Sequence, residues 1–306
     1  MSTTVNPSLE FQQEGTSVFH STRPFLWSIR RELWEFRSIY LAPIGVAVLV
    51  LISFLISMAH MARQMRDAAA LSSMQQDEFI QRPYNYAALF LMGISFIVSV
   101  FYCLEALQTE RRDRSILFWK SLPVSDVTTV LSKISIPMIV LPLIVIVLTI
   151  ATNLIMLLMN SMVLLAGGHG LEMLYAHLPL GQMWTMQTYH MFVLHGLWFA
   201  PVYGWLLLVS AWARRLAFLW AAVPLVVIGV VEKIVFNSSH AATWLWDRFG
   251  GAPASNAYPG GQMAFHAWSH LHISQVLFSP GLWTGIAFTA VCLFLAAHLR
   301  RTRGPM

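Results

Sequence analysis

The sequence predicts an all-α integral membrane protein with six transmembrane helices. Of its 306 residues, 57% are hydrophobic and only 11% are charged, and the mean hydropathy is +0.62. A soluble globule of this size needs more polar surface to cover its core. The 12 Trp and 8 Tyr residues favour the same class, because their amphipathic rings settle at the headgroup level of a bilayer.

Six apolar blocks are long enough to cross a hydrocarbon core of about 30 Å. The predicted spans cover residues 39–61, 84–107, 134–165, 189–212, 217–235 and 281–299. The third block is longer than a perpendicular span requires and contains Pro137 and Pro142, so we expect it to be tilted or kinked. Together the spans form one transmembrane domain over residues 39–303, and residues 304–306 form a short cytosolic end.

Two segments precede the first span. Residues 1–22 are polar and rich in Ser, Thr and Gln, and we interpret them as a mobile cytosolic tail. In residues 23–38 apolar side chains recur at three- and four-residue steps, while Arg31, Glu32 and Glu35 fall opposite them. This pattern predicts an amphipathic helix along the membrane surface. The recurring apolar residues are Leu26, Ile29, Leu33 and Phe36, and the pattern continues to Tyr40 at the start of the first span. The alternative is a cytosolic helix packed on a soluble domain.

The distribution of Lys and Arg predicts the orientation of the chain. Segments assigned to the cytosol hold 14 of the 19 Lys and Arg residues, and outer segments hold the other 5. By the positive-inside rule both termini then face the cytosol. The basic residues are scattered between apolar blocks and form no continuous basic face, so we expect no nucleic-acid partner.

The long polar interruption between the second and third spans, residues 105–133, carries an apolar centre. Exposed apolar groups rimmed by charge have the composition of a protein-binding hot spot. We interpret residues 108–120 as a helix that docks a cytosolic protein; the alternative is that its aromatic centre lies flat among lipid headgroups. The residues concerned are Glu110, Arg111, Arg112, Asp113, Arg114, Ile116, Leu117, Phe118, Trp119 and Lys120.

The long outer segment, residues 236–280, has a turn-rich centre flanked by Trp-rich pieces that are too short or too polar to span a membrane. We expect short re-entrant or interfacial helices there. His266, His270 and His272, with His240 upstream, form the nearest approach to a metal site. No Asp, Glu or Cys lies in the same short piece, so interfacial packing is the better interpretation and the role of this segment stays open.

Motifs of catalysis and nucleotide binding are missing from the sequence. H-E-x-x-H, G-x-S-x-G and the phosphate-binding G-x-x-x-x-G-K-[ST] do not occur. We therefore expect no enzyme activity, cofactor or metal on this chain. Glu105, Glu232 and Lys233 lie near span ends, where local pairing is the better interpretation. Asn153 and Asn160 are seven residues apart on one helical face, which suits either helix packing or a polar pathway.

Two segments carry a resemblance to a known family. They are W-S-I-R-R-E-L-W-E-F-R-S-I-Y before the first span and E-R-R-D-R-S-I-L-F-W-K-S-L-P-V-S-D-V-T-T-V-L-S-K between spans two and three. With the six-span order and the long final outer loop, they resemble the permease subunit of a bacterial ABC transporter of the type-2 exporter class. The resemblance covers nearly the whole chain, but the chain departs from larger members in lacking a fused ATPase and a large outer domain.

The resemblance implies a place in the bacterial inner membrane and two kinds of protein partner. The chain would pair with a second copy or a sister permease, and each would contact a separate ATP-binding subunit that holds ATP and Mg. Residues 23–38 would be the elbow helix and the segment around residues 110–121 the cytosolic coupling helix. The Arg214-Arg215 turn would be a second, smaller cytosolic contact. The implied function is ATP-driven export of a hydrophobic or peptide-like compound; the alternative is a membrane scaffold or sensor that docks a cytosolic partner without transport.

Overall fold

The structure, a computed structural model, describes residues 24–58, 73–113, 125–167, 171–240, 243, 248 and 277–302. The regular elements within these ranges are all helical. Among the described residues, five helices are long and apolar enough to cross a membrane, and a pair of helices bent by 47° supplies up to one more. The predicted all-α membrane architecture is therefore confirmed, and the predicted six spans compare with five to six helices of the described residues that could cross a membrane.

Eleven α-helices and two π-helices follow one another along the described part of the chain. The α-helices are α1 (Pro24–Glu35), α2 (Ser38–Ser57), α3 (Ser73–Glu105), α4 (Gln108–Arg112), α5 (Asp126–Ser135), α6 (Leu141–Ala166), α7 (Glu172–Ala176), α8 (Leu180–Tyr189), α9 (Ala200–Trp212), α10 (Ala217–Phe236) and α11 (Pro280–Thr302). The first π-helix, Ile136–Val140, joins α5 to α6, and the second, His190–Trp198, joins α8 to the break before α9.

The bundle core lies between α3, α9 and α11, and α2 closes it by packing on α3 and α6. Buried Leu, Ile, Val and Ala side chains fill the larger hydrophobic cluster. A smaller cluster around Phe54, Tyr84 and Met156 packs the other ends of α2, α3 and α6. In α10, by contrast, only 6% of the most apolar 18-residue stretch is buried. Its side chains therefore face outward, as expected of a helix that contacts lipid or another chain.

The third spanning unit runs without a gap from Asp126 to Ala166, 41 residues. At about 1.5 Å per residue it is roughly twice as long as the hydrocarbon core is thick, so it must project from the bilayer or tilt. Pro137 lies in the first π-helix and Pro142 lies in the first turn of α6. Because proline lacks an N–H and its ring crowds the preceding turn, the ladder widens here. The irregularity falls where the sequence places its prolines.

The fourth spanning unit is broken. Its parts, Leu174–Trp198 and Ala200–Trp212, meet at Phe199 with a bend of 47°. The second π-helix contacts the first, and a Cβ added to Gly196 would lie 3.0 Å from the Met138 carbonyl oxygen. A side chain at position 196 would therefore crowd the close approach of the two irregular helices, which glycine allows.

Helix α3 begins at Ser73, well before residue 84, where the predicted second span starts. Its first turns are polar, yet Ile80 is buried and Arg82 pairs with Glu78 one turn earlier at 3.2 Å. The Asp77 carboxylate lies 2.7 Å from His177 Nδ1, which holds this extension against α7. Polarity thus indicates only that the segment leaves the hydrocarbon, and it does not exclude a helix.

The predicted short helices of the outer segment lie mostly outside the described residues. So do the tail, residues 1–22, and the cytosolic end, residues 304–306. Helix α1 overlaps the predicted amphipathic helix, residues 23–38, but ends at Glu35, and α2 starts at Ser38 after a break of two residues.

Candidate functional site: a buried ion-pair cluster

Charged side chains from four helices meet at the end of the bundle that the charge distribution assigns to the cytosol. We call them the ion-pair cluster, which consists of Arg31, Glu32, Glu110, Asp126, Lys133 and Arg300. They come from α1, α4, α5 and the last turns of α11, and the α3 residue Tyr102 joins them through a hydrogen bond. Three cations face three carboxylates, so the formal charges cancel.

Glu110 is the centre of the cluster. Its carboxylate is 1% exposed, and one oxygen lies 3.0 Å from Arg31 Nη2 and 3.1 Å from Lys133 Nζ. The other oxygen lies 3.2 Å from Arg300 Nη1. Glu110, near the start of the predicted docking segment, is thus paired with side chains of α1, α5 and α11.

Lys133 forms a second buried pair, with Glu32. The Lys133 ammonium donates to Glu32 Oε1 at 2.8 Å, and the two side chains are 0% and 1% exposed. The Tyr102 hydroxyl donates to the second Glu32 oxygen, also at 2.8 Å. Removing a charge from water is costly unless partners replace the lost hydration, so each member requires the others.

Arg300 is held less tightly. Its Nε lies 3.1 Å from Asp126 Oδ1 and its Nη1 lies 3.2 Å from Glu110, but neither contact has hydrogen-bond geometry. Asp126 is 26% exposed, whereas Arg300 is 4% exposed. The contact of the last helix with the cluster is therefore the one that has the least directional restraint.

A second set of contacts clamps α4 to the C-terminal end of α9. The backbone N–H groups of Leu107 and Gln108 both donate to Ser210 Oγ at 3.0 Å, which caps the start of α4. Arg111 Nη1 donates to the Ala211 carbonyl at 2.7 Å, where a cation complements the helix C-terminus. Gln108 Nε2 donates to the Arg214 carbonyl at 3.3 Å. The structure thereby brings the predicted second contact, the Arg214-Arg215 turn, next to α4.

The predicted docking residues divide into three groups. Glu110 and Arg111 are buried and point into the bundle, so in this conformation they anchor the segment and present no side chain to a partner. Arg112 and Asp113 are exposed, at 72% and 56%, and pair with each other at 3.3 Å. Arg214 and Arg215 are exposed as well. The remaining six candidates, Arg114, Ile116, Leu117, Phe118, Trp119 and Lys120, lie outside the described residues.

Sequence reasoning missed Glu32, Lys133 and Arg300. It placed Glu32 on the exposed face of a surface helix and counted the two cations only as topology signals. A usable signal was present, since charged residues are scarce in this chain and these three fall within or beside apolar runs. Glu32 and Lys133 are 101 positions apart in the sequence. Hydrophobic periodicity is a local signal and does not indicate which distant residues form a pair.

The Asn residues predicted for packing or a pathway are both buried on α6. Asn160 Nδ2 donates to the Tyr84 hydroxyl on α3 at 3.0 Å, so this residue joins two spanning helices. Asn153 is 2% exposed, and its amide oxygen has no hydrogen-bond partner among the described residues.

A further polar group lies inside the bundle on the second π-helix. His195 Nε2 is 3.4 Å from the Tyr203 hydroxyl and 3.5 Å from both Ser95 Oγ and Ser99 Oγ. Among the described residues, no group of three or more His, Cys, Asp or Glu side chains is placed to hold a metal ion. His240 is exposed, and the other members of the outer histidine group lie outside the described ranges.

Arg248 secures the break in the fourth spanning unit. Its Nη1 donates to the Trp198 carbonyl and the Trp198 indole donates back to the Arg248 carbonyl, each at 3.1 Å. The guanidinium carbon lies 4.3 Å from the centre of the Trp198 ring, and Nη2 donates to the Gly281 carbonyl of α11. Burial lowers the pKa of the Arg248 guanidinium from its usual value because desolvation disfavours the charged form.

The long apolar helices give this chain the architecture of a multi-pass membrane protein. Comparisons of the chain with protein-family models, with curated proteins and with solved structures give no match in any of the three.

Proposed function

We propose that this chain is the permease subunit of an ATP-driven exporter, of the type-2 class that its sequence resembles. It would sit in the bacterial inner membrane, pair with a second copy or a sister permease, and take its energy from a separate ATP-binding subunit that holds ATP and Mg. Its cargo would be a hydrophobic or peptide-like compound. The carrying observation is the burial of Glu110, which ties the start of the docking segment to three helical units.

This arrangement supports mechanical coupling. Residues 108–113 are fixed to α9 through Ser210 and Arg111 and to α1, α5 and α11 through Glu110. A push on the segment that follows would move these helix ends together, because packed interiors and paired charges do not deform continuously. Movement of the coupling helix would thus be transmitted to the ends of the helices that contact residues 108–113.

The exposed groups beside this anchor suit a protein contact. Arg112, Asp113, Arg214 and Arg215 lie on adjoining segments, joined by the bond from Gln108 to the Arg214 carbonyl. Their net positive charge favours an acidic rim on the partner. The aromatic residues Phe118 and Trp119 would supply the apolar anchor of the contact.

The test separates docking from coupling. The chain is co-expressed with the products of its neighbouring genes, and co-purification of an ATP-binding subunit and ATP hydrolysis are measured in nanodiscs. We expect Phe118→Ala with Trp119→Ala to reduce co-purification and stimulated hydrolysis without loss of membrane insertion. Glu110→Gln should retain the partner but lose the stimulation of hydrolysis by transported compound.

A matched control is Phe278→Ala with Trp283→Ala, which removes two exposed aromatic side chains at the N-terminal end of α11 and just before it, away from the ion-pair cluster. This control should leave co-purification unchanged. Absence of any co-purifying ATP-binding subunit would sink the proposal. Retention of the partner with no transport-linked hydrolysis in the unaltered protein would favour the scaffold or sensor instead.

A further inference from the structure

Helix α1 packs with the opposite arrangement to the one its sequence pattern predicts. Ile29, Leu33 and Phe36, assigned to the lipid-facing side, pack instead against the hydrophobic core of the bundle. Glu32, assigned to the polar side, is buried in the ion-pair cluster. The helix therefore lies on the protein with its regular apolar stripe and presents a different face outward.

The outward face carries two tryptophans with an arginine between them. Trp27 and Trp34 are 61% and 71% exposed. The guanidinium carbon of Arg30 lies 5.4 Å from the centre of the Trp27 ring and 5.3 Å from that of Trp34. Positions 27, 30 and 34 follow helical spacing, so the three side chains form one stripe. Stacking on both rings orients the guanidinium while leaving its N–H edge available.

The charges on α1 are unevenly satisfied. Glu35 pairs with Arg31 at 3.1 Å, and Glu32 is taken up by Lys133. Among the described residues, neither the Arg30 side chain nor that of the exposed Arg37 makes a hydrogen bond or an ion pair. Both carboxylates of the helix are thus engaged within the protein, and its outward side is left with positive charge.

The short connection between α1 and α2 determines the depth of this face relative to the membrane. Two residues separate α1 from α2, and the outward apolar side chains of α2 begin at Leu41, which is 55% exposed. Arg37 therefore lies about one helical turn from the first lipid-facing residue. Trp and Arg at this level match the headgroup region, where both residue types anchor spans.

We propose that the Trp27–Arg30–Trp34 face binds the phosphate of an anionic phospholipid headgroup in the leaflet next to the ion-pair cluster. An arginine fork donates two parallel hydrogen bonds to a phosphate, and the flanking indoles pack on the glycerol and upper acyl region. Anionic lipid is favoured because nearby basic residues are attracted by its surface charge. This inference goes beyond the proposed export function and requires no ATP-binding subunit.

The experiment uses the full chain, purified in detergent and stripped of lipid. It is titrated with phosphatidylglycerol, with phosphatidylcholine of the same acyl chains, and with inorganic phosphate, and bound molecules are counted by native mass spectrometry. We expect phosphatidylglycerol to bind more tightly than phosphatidylcholine, and inorganic phosphate not to displace it. Arg30→Gln should weaken phosphatidylglycerol binding about tenfold. Arg30→Lys should lie between the two, because it keeps the charge but loses the planar fork.

Arg82→Gln is the control, since it removes an exposed arginine in the N-terminal part of α3, far from the ion-pair cluster and from α1. It should leave phosphatidylglycerol binding unchanged, and circular dichroism should report the same helix content for all variants. Equal affinity for the two lipids, or an unaltered titration in Arg30→Gln, would overturn the inference. Displacement by inorganic phosphate at the same concentration would mark a free-anion site. Loss of a bound soluble protein in Arg30→Gln, with lipid binding intact, would mark a protein-docking face; either result contradicts the proposal.

Discussion

Replacing Lys133 by Met removes the only cation that contacts both Glu32 and Glu110 among the described residues. The ammonium lies 2.8 Å from one carboxylate and 3.1 Å from the other, and all three side chains are at most 1% exposed. Breaking a buried pair from one side leaves an uncompensated charge and costs about 3–5 kcal/mol. Glu110 retains Arg31 and Arg300 in the variant. Glu32 retains the Tyr102 hydroxyl, so most of the loss should come from Glu32.

A double-mutant cycle isolates that loss. The free energy of unfolding is measured in mixed dodecyl maltoside and sodium dodecyl sulfate for Lys133→Met, Glu32→Gln and the combined variant. Because the second substitution removes the charge that the first left stranded, the double variant should cost about 0.5–3 kcal/mol less than the sum of the single ones. Lys233→Met makes the same chemical change at an exposed position of α10 and should stay within about 0.5 kcal/mol. Additive single effects, or a Lys133→Met cost as small as the control, would refute the assigned pairing.

Two further variants test the packing of the spanning helices. Gly285→Ala should lower the melting temperature in detergent, because the added methyl group would meet the Arg248 guanidinium and lie 2.8 Å from the Pro201 ring, whereas Gly93→Ala has open space and should be neutral or slightly stabilising. Tyr84→Phe removes the hydroxyl that accepts from Asn160 at 3.0 Å and should cost about 0.6–1.7 kcal/mol in the same unfolding assay. An unchanged melting temperature in Gly285→Ala, or no loss in Tyr84→Phe, would contradict these contacts.

The membrane class and the approximate number of spans followed from composition and block length. The physical reason is that backbone polar groups must be satisfied inside a hydrocarbon layer, so an apolar block of about 20 residues has little choice but to be helical. Polar extensions were less predictable. The first turns of α3 are helical because Ile80 is buried and Asp77 contacts His177, neither of which a hydropathy pattern can report.

The docking segment shows the same division. Its composition indicated a charged helix with an apolar centre, but composition treats Glu110 and Arg112 alike. In the folded chain Glu110 is buried among three cations and Arg112 is 72% exposed. Neighbouring residues on a helix point in different directions, and only the packing partners decide which of them becomes an anchor.

Local sequence pattern was therefore enough to predict the helical blocks, the irregularity at the prolines and the amphipathic first helix. The charge bias predicted the orientation of the chain. The tertiary structure alone decided which face of α1 meets the bundle and which charges meet each other. Hydrophobic periodicity identifies a stripe but does not distinguish lipid from protein as its neighbour, since both are apolar. Ion pairing between residues 32, 110, 133 and 300 depends on the assembly of helices far apart in sequence, where burial makes each charge dependent on the others.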